Sequence, residues 1–249
     1  MTPTLKAEFR KLLTVRSTYF LGLIGLIIAG GICFYAGFSD HPAATATSLA
    51  DTIDFIPTIA ALFAGIVLLL QFGHEYRYGT IIYTLTASRS RSQVLLSKIV
   101  VAAFYILFYS LLMMVVCFGL VHAGLLIGGN TLPHQDINYL SYVAKTVAYD
   151  ECYALTALLF VSLIRNMQAS FVAFFIIPGT LEGLLSLVLK SHSVYMPFLA
   201  LAQIIVSPTD KSIPSTGSLS PLRGLLVFLA YFLVAWAISW YLFLRRDAT

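Results

Sequence analysis

Residues able to do polar chemistry are few in this 249-residue chain, and they gather in three places. The first is Gln71 to Lys98, reading QFGHEYRYGTIIYTLTASRSRSQVLLSK, where the single acid Glu75 stands among Arg77, Arg89, Arg91 and Lys98. The second is the pair Asp150 and Glu151, with Lys145 a little earlier. The third is Glu182, inside Pro178, Gly179, Thr180, Leu181, Glu182 and Gly183. Acids and cations so placed suit contact with a charged partner, or a polar path through an apolar medium.

Hydrolytic chemistries find no matching pattern. His74 and Glu75 continue as Tyr76 and Arg77, without the second histidine of an H-E-x-x-H zinc site, and no G-x-S-x-G nucleophile setting occurs. Asp150 and Glu151 lack the following arginine of an E-E-x-x-x-R intramembrane protease. Cys33, Cys117 and Cys152 have no metal-ligand spacing and read as small apolar residues. No catalytic residue and no metal site is expected, and no G-x-x-x-x-G-K-[ST] phosphate cradle is found, so the chain is not expected to be an enzyme.

What must position these residues is a set of membrane helices. With 59% hydrophobic and 10% charged residues and a mean hydropathy of +0.88, the chain lies far from a soluble domain. The expected fold class is all-α, a single polytopic domain over 1–249 with spans at 17–38, 55–72, 99–122, 145–164, 167–189 and 223–244. Only Arg165 and Asn166 separate the fourth span from the fifth, which predicts a tight turn between antiparallel helices. Eleven of the 15 cationic residues then fall on one side: Lys6, Arg10, Lys11, Arg16, Arg77, Arg89, Arg91, Lys98, Arg165, Arg245 and Arg246. By the positive-inside rule that side is cytoplasmic, with both termini on it. The net charge of +4 thus describes orientation and contact with anionic lipid, and not nucleic-acid binding.

At the N-terminus the apolar run is too long for a signal-peptide core, so an uncleaved first span is expected. Before it, Leu5, Phe9, Leu12 and Leu13 recur at helical spacing with Lys6, Arg10 and Lys11 on other faces, predicting an amphipathic interfacial helix over 1–16. That helix is either a topological anchor or also a meeting point for a cytoplasmic partner.

Residues 73–98 read as a cytoplasmic loop holding a short helix. Gly79 breaks the chain, Thr80 caps a helix through Ile81, Ile82, Tyr83 and Leu85, and Ser90 with Gln93 forms an S-x-x-Q capping pattern for the third span. The run E-x-x-x-G-T-I, followed by T-L-T-A-S-R-S-R and L-L-S-K, resembles the permease (transmembrane) subunits of type-2 ATP-binding cassette (ABC) exporters. The matching residues are Glu75, Gly79, Thr80, Leu85, Ser88, Arg89, Arg91, Leu96 and Lys98, and the proline many members carry near Ser88 is missing. The resemblance extends to the whole layout, from basic interfacial helix to last span.

That resemblance implies a coupling helix docking into a separate ABC ATPase subunit present in two copies, which would bind ATP and Mg. The coupling surface would comprise Glu75, Tyr78, Gly79, Thr80, Tyr83, Ser88, Arg89 and Arg91. It also implies a second permease subunit, identical or homologous, a translocation path between the two, and residence in the plasma (inner) membrane of a prokaryote. The function implied is ATP-driven export of a hydrophobic or amphipathic substrate such as a peptide, drug or lipid. An ion-coupled secondary transporter is the alternative, although no repeated halves are evident in the chain.

Acids at membrane depth are costly and usually face protein or a water-filled cavity. Lys145 and Asp150 are poor partners within one helix, so Asp150 and Glu151 must look to other helices, headgroups or water. Pro178 with Gly179 and Gly183 predicts a kink and a close permease-to-permease contact, where Glu182 either lines the path or serves structural hydrogen bonding. Residues 190–222 form an outer loop whose piece Val194 to Val206 is too short to span and is expected to be re-entrant or interfacial. By resemblance, Tyr195, Met196, Phe198 and Leu199 there would help close an exit gate.

Overall fold

The computed structural model describes residues 2–39, 46–87, 90–129, 139–205 and 219–245. Within them every regular element is a helix: α1 (Thr2–Thr14), α2 (Arg16–Phe38), α3 (Ala46–Arg77), α4 (Ile81–Ala87), α5 (Arg91–Gly128), α6 (Tyr139–Ile164), α7 (Met167–Phe175), α8 (Glu182–Leu189), α9 (Pro197–Ala202) and α10 (Pro221–Arg245). A π-helical turn (Ile176–Leu181) joins α7 to α8, and a 3-10 turn (Lys190–Tyr195) follows. Six stretches are long and apolar enough to cross a membrane: Arg16–Phe38, Phe55–Arg77, Arg91–Gly128, Leu140–Ile164, Met167–Tyr195 and Pro221–Arg245.

The closest crossing is between α2 and α5, and it follows from small residues. On α2 the buried positions are Thr18, Gly22, Gly25, Ala29, Gly30, Cys33 and Gly37, a stripe at three- and four-residue spacing that lets backbones approach. A Cβ on Gly37 would collide with the Val121 carbonyl, and one on Gly124 with the Phe34 carbonyl. Tyr109 of α5 donates its hydroxyl to the Gly22 carbonyl at 3.1 Å, and Gln71 of α3 donates to Thr18 at 3.0 Å.

Around this pair α3 packs on α6, and the shared core includes Ile56, Leu68, Leu69, Ile106, Met113, Leu158 and Phe174. The last span attaches through α9 and α6, with Leu201 and Phe228 fully buried and Ser162 bonded to Ser239 at 2.6 Å. Spans five and six keep broad apolar faces outward, including Leu187, Val188, Leu233 and Val234. Exposed leucines and valines on helices of this length suit lipid as solvent.

Helix ends differ from the sequence expectation. The second span's helix continues past residue 72 to Arg77, α5 begins at Arg91 as the Ser90–Gln93 pattern implies, and Tyr78–Thr80 separate α3 from α4. The fifth span also runs past Leu189, through the 3-10 turn to Tyr195. Pro178 widens its helix into a π turn: the proline has no N–H to offer one turn back, and the Glu182 N–H reaches the Ile177 carbonyl five residues earlier.

The predicted turn between spans four and five is present in two residues. Arg165 adopts φ +58°, reversing the chain, and Asn166 caps α7 by accepting the N–H groups of Gln168 and Ala169 at 3.0 and 3.2 Å. Arg165 then donates to the Leu242 carbonyl at 3.3 Å, and Arg91 to the Leu244 carbonyl at 3.3 Å. The end of α10, the 165–166 turn and the start of α5 therefore share one end of the bundle.

Candidate functional site

At that same end lies a buried four-charge cluster. Lys98 Nζ of α5 stands 2.7 Å from Glu75 Oε2 of α3 and 3.4 Å from Glu8 Oε2 of α1. Lys11 of α1 bonds Glu8 at 3.0 Å and Glu75 at 2.9 Å from its half-exposed position. Glu8, Glu75 and Lys98 are only 3%, 7% and 4% exposed. Two cations thus meet two carboxylates, with Lys98 also lying over the Phe72 ring at 4.6 Å. Such a closed set offsets the desolvation that would make any one of these charges unfavourable alone.

Lys11 is the member on α1 whose titration is shifted. Burial works to lower its pKa, but the hydrogen bond and charge of Glu75, with the charge of Glu8, outweigh it and leave the ammonium held above the usual lysine value. The N-terminal helix is thus tied into the bundle: Glu8 turns inward on the same face as buried Leu12 and pairs with Lys98 of α5, while Lys11 pairs with Glu75 of α3.

Above the cluster the chain builds a small projecting element. Gly79 takes φ +65°, a left-handed conformation that suits glycine and ends α3. Ile82 N–H then returns to the Gly79 carbonyl at 3.4 Å and opens α4, a seven-residue helix. Ser90 accepts the Gln93 N–H at 3.4 Å and starts α5. Of α4's described side chains, Ile81 is buried on Leu95 and Phe243, whereas Ile82 and Tyr83 point out, Tyr83 with 75% of its surface free. Tyr78 is exposed too, stacked on His74 and flanked by Arg77.

Of the residues expected at a coupling surface, Tyr78, Gly79, Thr80 and Tyr83 are thus brought together, and Arg91 sits beside them against the end of α10. Glu75 lies beneath, enclosed by the cluster. Ser88 and Arg89 lie outside the described residues. Glu8 escaped the sequence reading, although its spacing from Leu5 and Leu12 places it on the apolar stripe of α1, and a charge on such a stripe is the signal that would have found it.

The acids at membrane depth do not form one site. Asp150 is fully buried on α6, and Ser110 of α5 donates a hydrogen bond to its Oδ2; its Oδ1 has no partner. Glu151, next along the helix, is only half-buried, and Lys145 is exposed. Glu182 belongs elsewhere: its two oxygens accept the Phe198 and Leu199 N–H groups at 3.1 and 2.9 Å. Those are the first free amides of α9, so Glu182 caps α9 from another helix and complements its dipole. Among the described residues, none has an atom within 4 Å of where a Cβ on Gly179 or Gly183 would stand. Cys33 and Cys117 are buried in the α2–α5 seam, and among the described residues no cluster of histidine, cysteine or acid could hold a metal.

Six helices long and apolar enough to cross a membrane, packed around an apolar core, mark a multi-pass membrane protein. The chain belongs to the protein family of unknown function DUF2705, whose model matches residues 17–249. No curated protein matches it.

Proposed function

We propose that the chain is the permease subunit of a type-2 ABC exporter, oriented with the charge cluster and both termini in the cytoplasm of a prokaryotic cell. The observation carrying this reading is the short α4 held between two spans, its aromatic face outward and its base fixed by the Glu75–Lys98 pair. A helix of two turns between a left-handed glycine and a capped span is stiff enough to pass a push from a docked ATPase to α3 and α5. The basic end residues support the cytoplasmic orientation.

Two permeases and two ATPases would make the working unit, with ATP and Mg bound by the ATPase. The spans offer no extended polar face, which favours hydrophobic or amphipathic cargo. Glu182 supports export indirectly: by capping α9 it fixes the segment carrying Phe198 and Leu199 beside the exit side of the bundle. An ion-coupled secondary transporter is the second reading, and the buried carboxyl of Asp150 is what favours it.

Gentle-detergent affinity purification of the tagged full chain from its native cells, with mass spectrometry, tests the choice. A stoichiometric ABC ATPase that shows cargo-stimulated hydrolysis supports the exporter. An intact, folded chain without one turns the reading to the secondary transporter.

A further inference from the structure

Asp150 presents a problem that the exporter reading does not use. The residue is 0% exposed, in the middle of a 26-residue apolar helix, and its only hydrogen-bond partner is the neutral Ser110 hydroxyl. Every ion pair among the described residues belongs to the Glu8–Glu75 cluster. Lys98 is twelve residues from Ser110 along α5, about 18 Å at 1.5 Å per residue. An ionised carboxylate without a counter-charge is the costliest group an apolar interior can hold, and the cost vanishes once it takes up a proton.

The one hydrogen bond suits a neutral acid: the Ser110 hydroxyl meets Oδ2 at 2.5 Å, and a hydroxyl serves a protonated carboxyl either as donor or as acceptor. Oδ1 is buried and unpartnered, and so is the Thr146 hydroxyl, four residues earlier on the same face of α6. The titratable groups acting on Asp150 are Tyr109 on α5 and Tyr149 and Glu151 on α6. The remaining neighbours of α6 add none at its level. α7 and α9 have no titratable residue, Arg223, Tyr231 and Tyr241 of α10 point outward, and α3 carries His74 to Arg77 at the charged end. Asp51 and Asp54 are outside the described side chains.

We infer that Asp150 is a proton-binding site within the bundle, neutral while α5 and α6 are packed, and ionised when water reaches it. Separation of the two helices would pass the proton to that water, and repacking would take one back, so any cycle that opens this seam carries a proton with it. The inference rests on the six-span architecture alone and stands whether or not an ATPase copurifies.

Infrared spectroscopy of the purified full chain in lipid nanodiscs tests it through the deuterium-sensitive C=O stretch of a protonated carboxylic acid. At neutral pH the wild type should show that band, Asp150→Asn should lose it, and Glu151→Gln and Glu182→Gln should keep it. Ser110→Ala removes a hydrogen bond from the carboxyl group and should raise the band's frequency, a readout that survives if Asp150→Asn fails to fold. A missing band, one that persists in Asp150→Asn, or one that Ser110→Ala leaves unmoved would overturn the proposal. A band present in choline buffer and abolished by sodium would overturn it in favour of a bound metal cation.

Discussion

Lys98 Nζ lies 2.7 Å from the Glu75 carboxylate, 23 residues earlier in the chain, and this pair joins the two helices on either side of the projecting α4. Lys98→Met leaves two carboxylates facing each other with only the half-exposed Lys11 between them. Breaking a buried pair by removing one partner costs about 3–5 kcal/mol. Thermal unfolding in detergent should show that loss, and the double change Lys98→Met with Glu75→Met should recover part of it.

Lys11 predicts a pH dependence. Its folded pKa is raised, so its stabilisation is fully present below the ordinary lysine value of about 10.4 and is lost as pH rises through the higher folded value. The Tm advantage of wild type over Lys11→Gln should be level from neutral pH to mildly alkaline conditions and shrink only in strong alkali. A decline between pH 6 and 8 would assign the effect to another group.

The α2–α5 crossing predicts a contrast among glycines. Alanine at Gly37 or Gly124 forces a backbone contact apart and should cost about 1–3 kcal/mol as overpacking. Alanine at Gly31, where the Cβ would meet open space, should leave Tm unchanged. Equal effects at the three positions would mean that the seam is looser than its geometry requires.

Glu182→Ala strips two amides of their acceptor and should destabilise by about 1–3 kcal/mol, freeing α9 from α8. Protease or thiol-reagent accessibility at Phe198→Cys would report the release. Changed transport with α9 still protected would instead place the carboxylate on the cargo path.

Tyr83→Ala removes an exposed ring and should leave the unfolding free energy within about 0.5 kcal/mol of wild type. If α4 docks an ATPase, the same substitution should lower ATPase retention in copurification. Full retention in both Tyr83→Ala and Tyr78→Ala would remove this face from the interface.

What was legible in the sequence was local. Gly79, the Ser90–Gln93 cap and the Arg165–Asn166 reversal are set by residues within a few positions of each other, and the six spans by composition. Glu8 with Lys98 was not, because 90 residues separate partners whose types alone say nothing of who faces whom. The same long-range pairing hid the Glu75–Lys98 contact: neither residue type says which helix the other's charge will come from. Glu182 shows the limit from the other side, since a carboxylate beside proline and glycine suggested a path or a structural bond, and only the position of α9 supplied two amides for it.

The π turn at Ile176–Leu181 gives the fifth span a register as well as a bend. Because that turn holds one residue more than an α-helical turn, everything after it is offset by about 100° from where an unbroken helix would place it. Glu182 faces α9 by virtue of that extra residue. Deleting one residue there would shorten the rod by little more than an ångström yet swing α8 away from the amides it caps, so this span tolerates exchange of one apolar side chain for another far better than any change in their number.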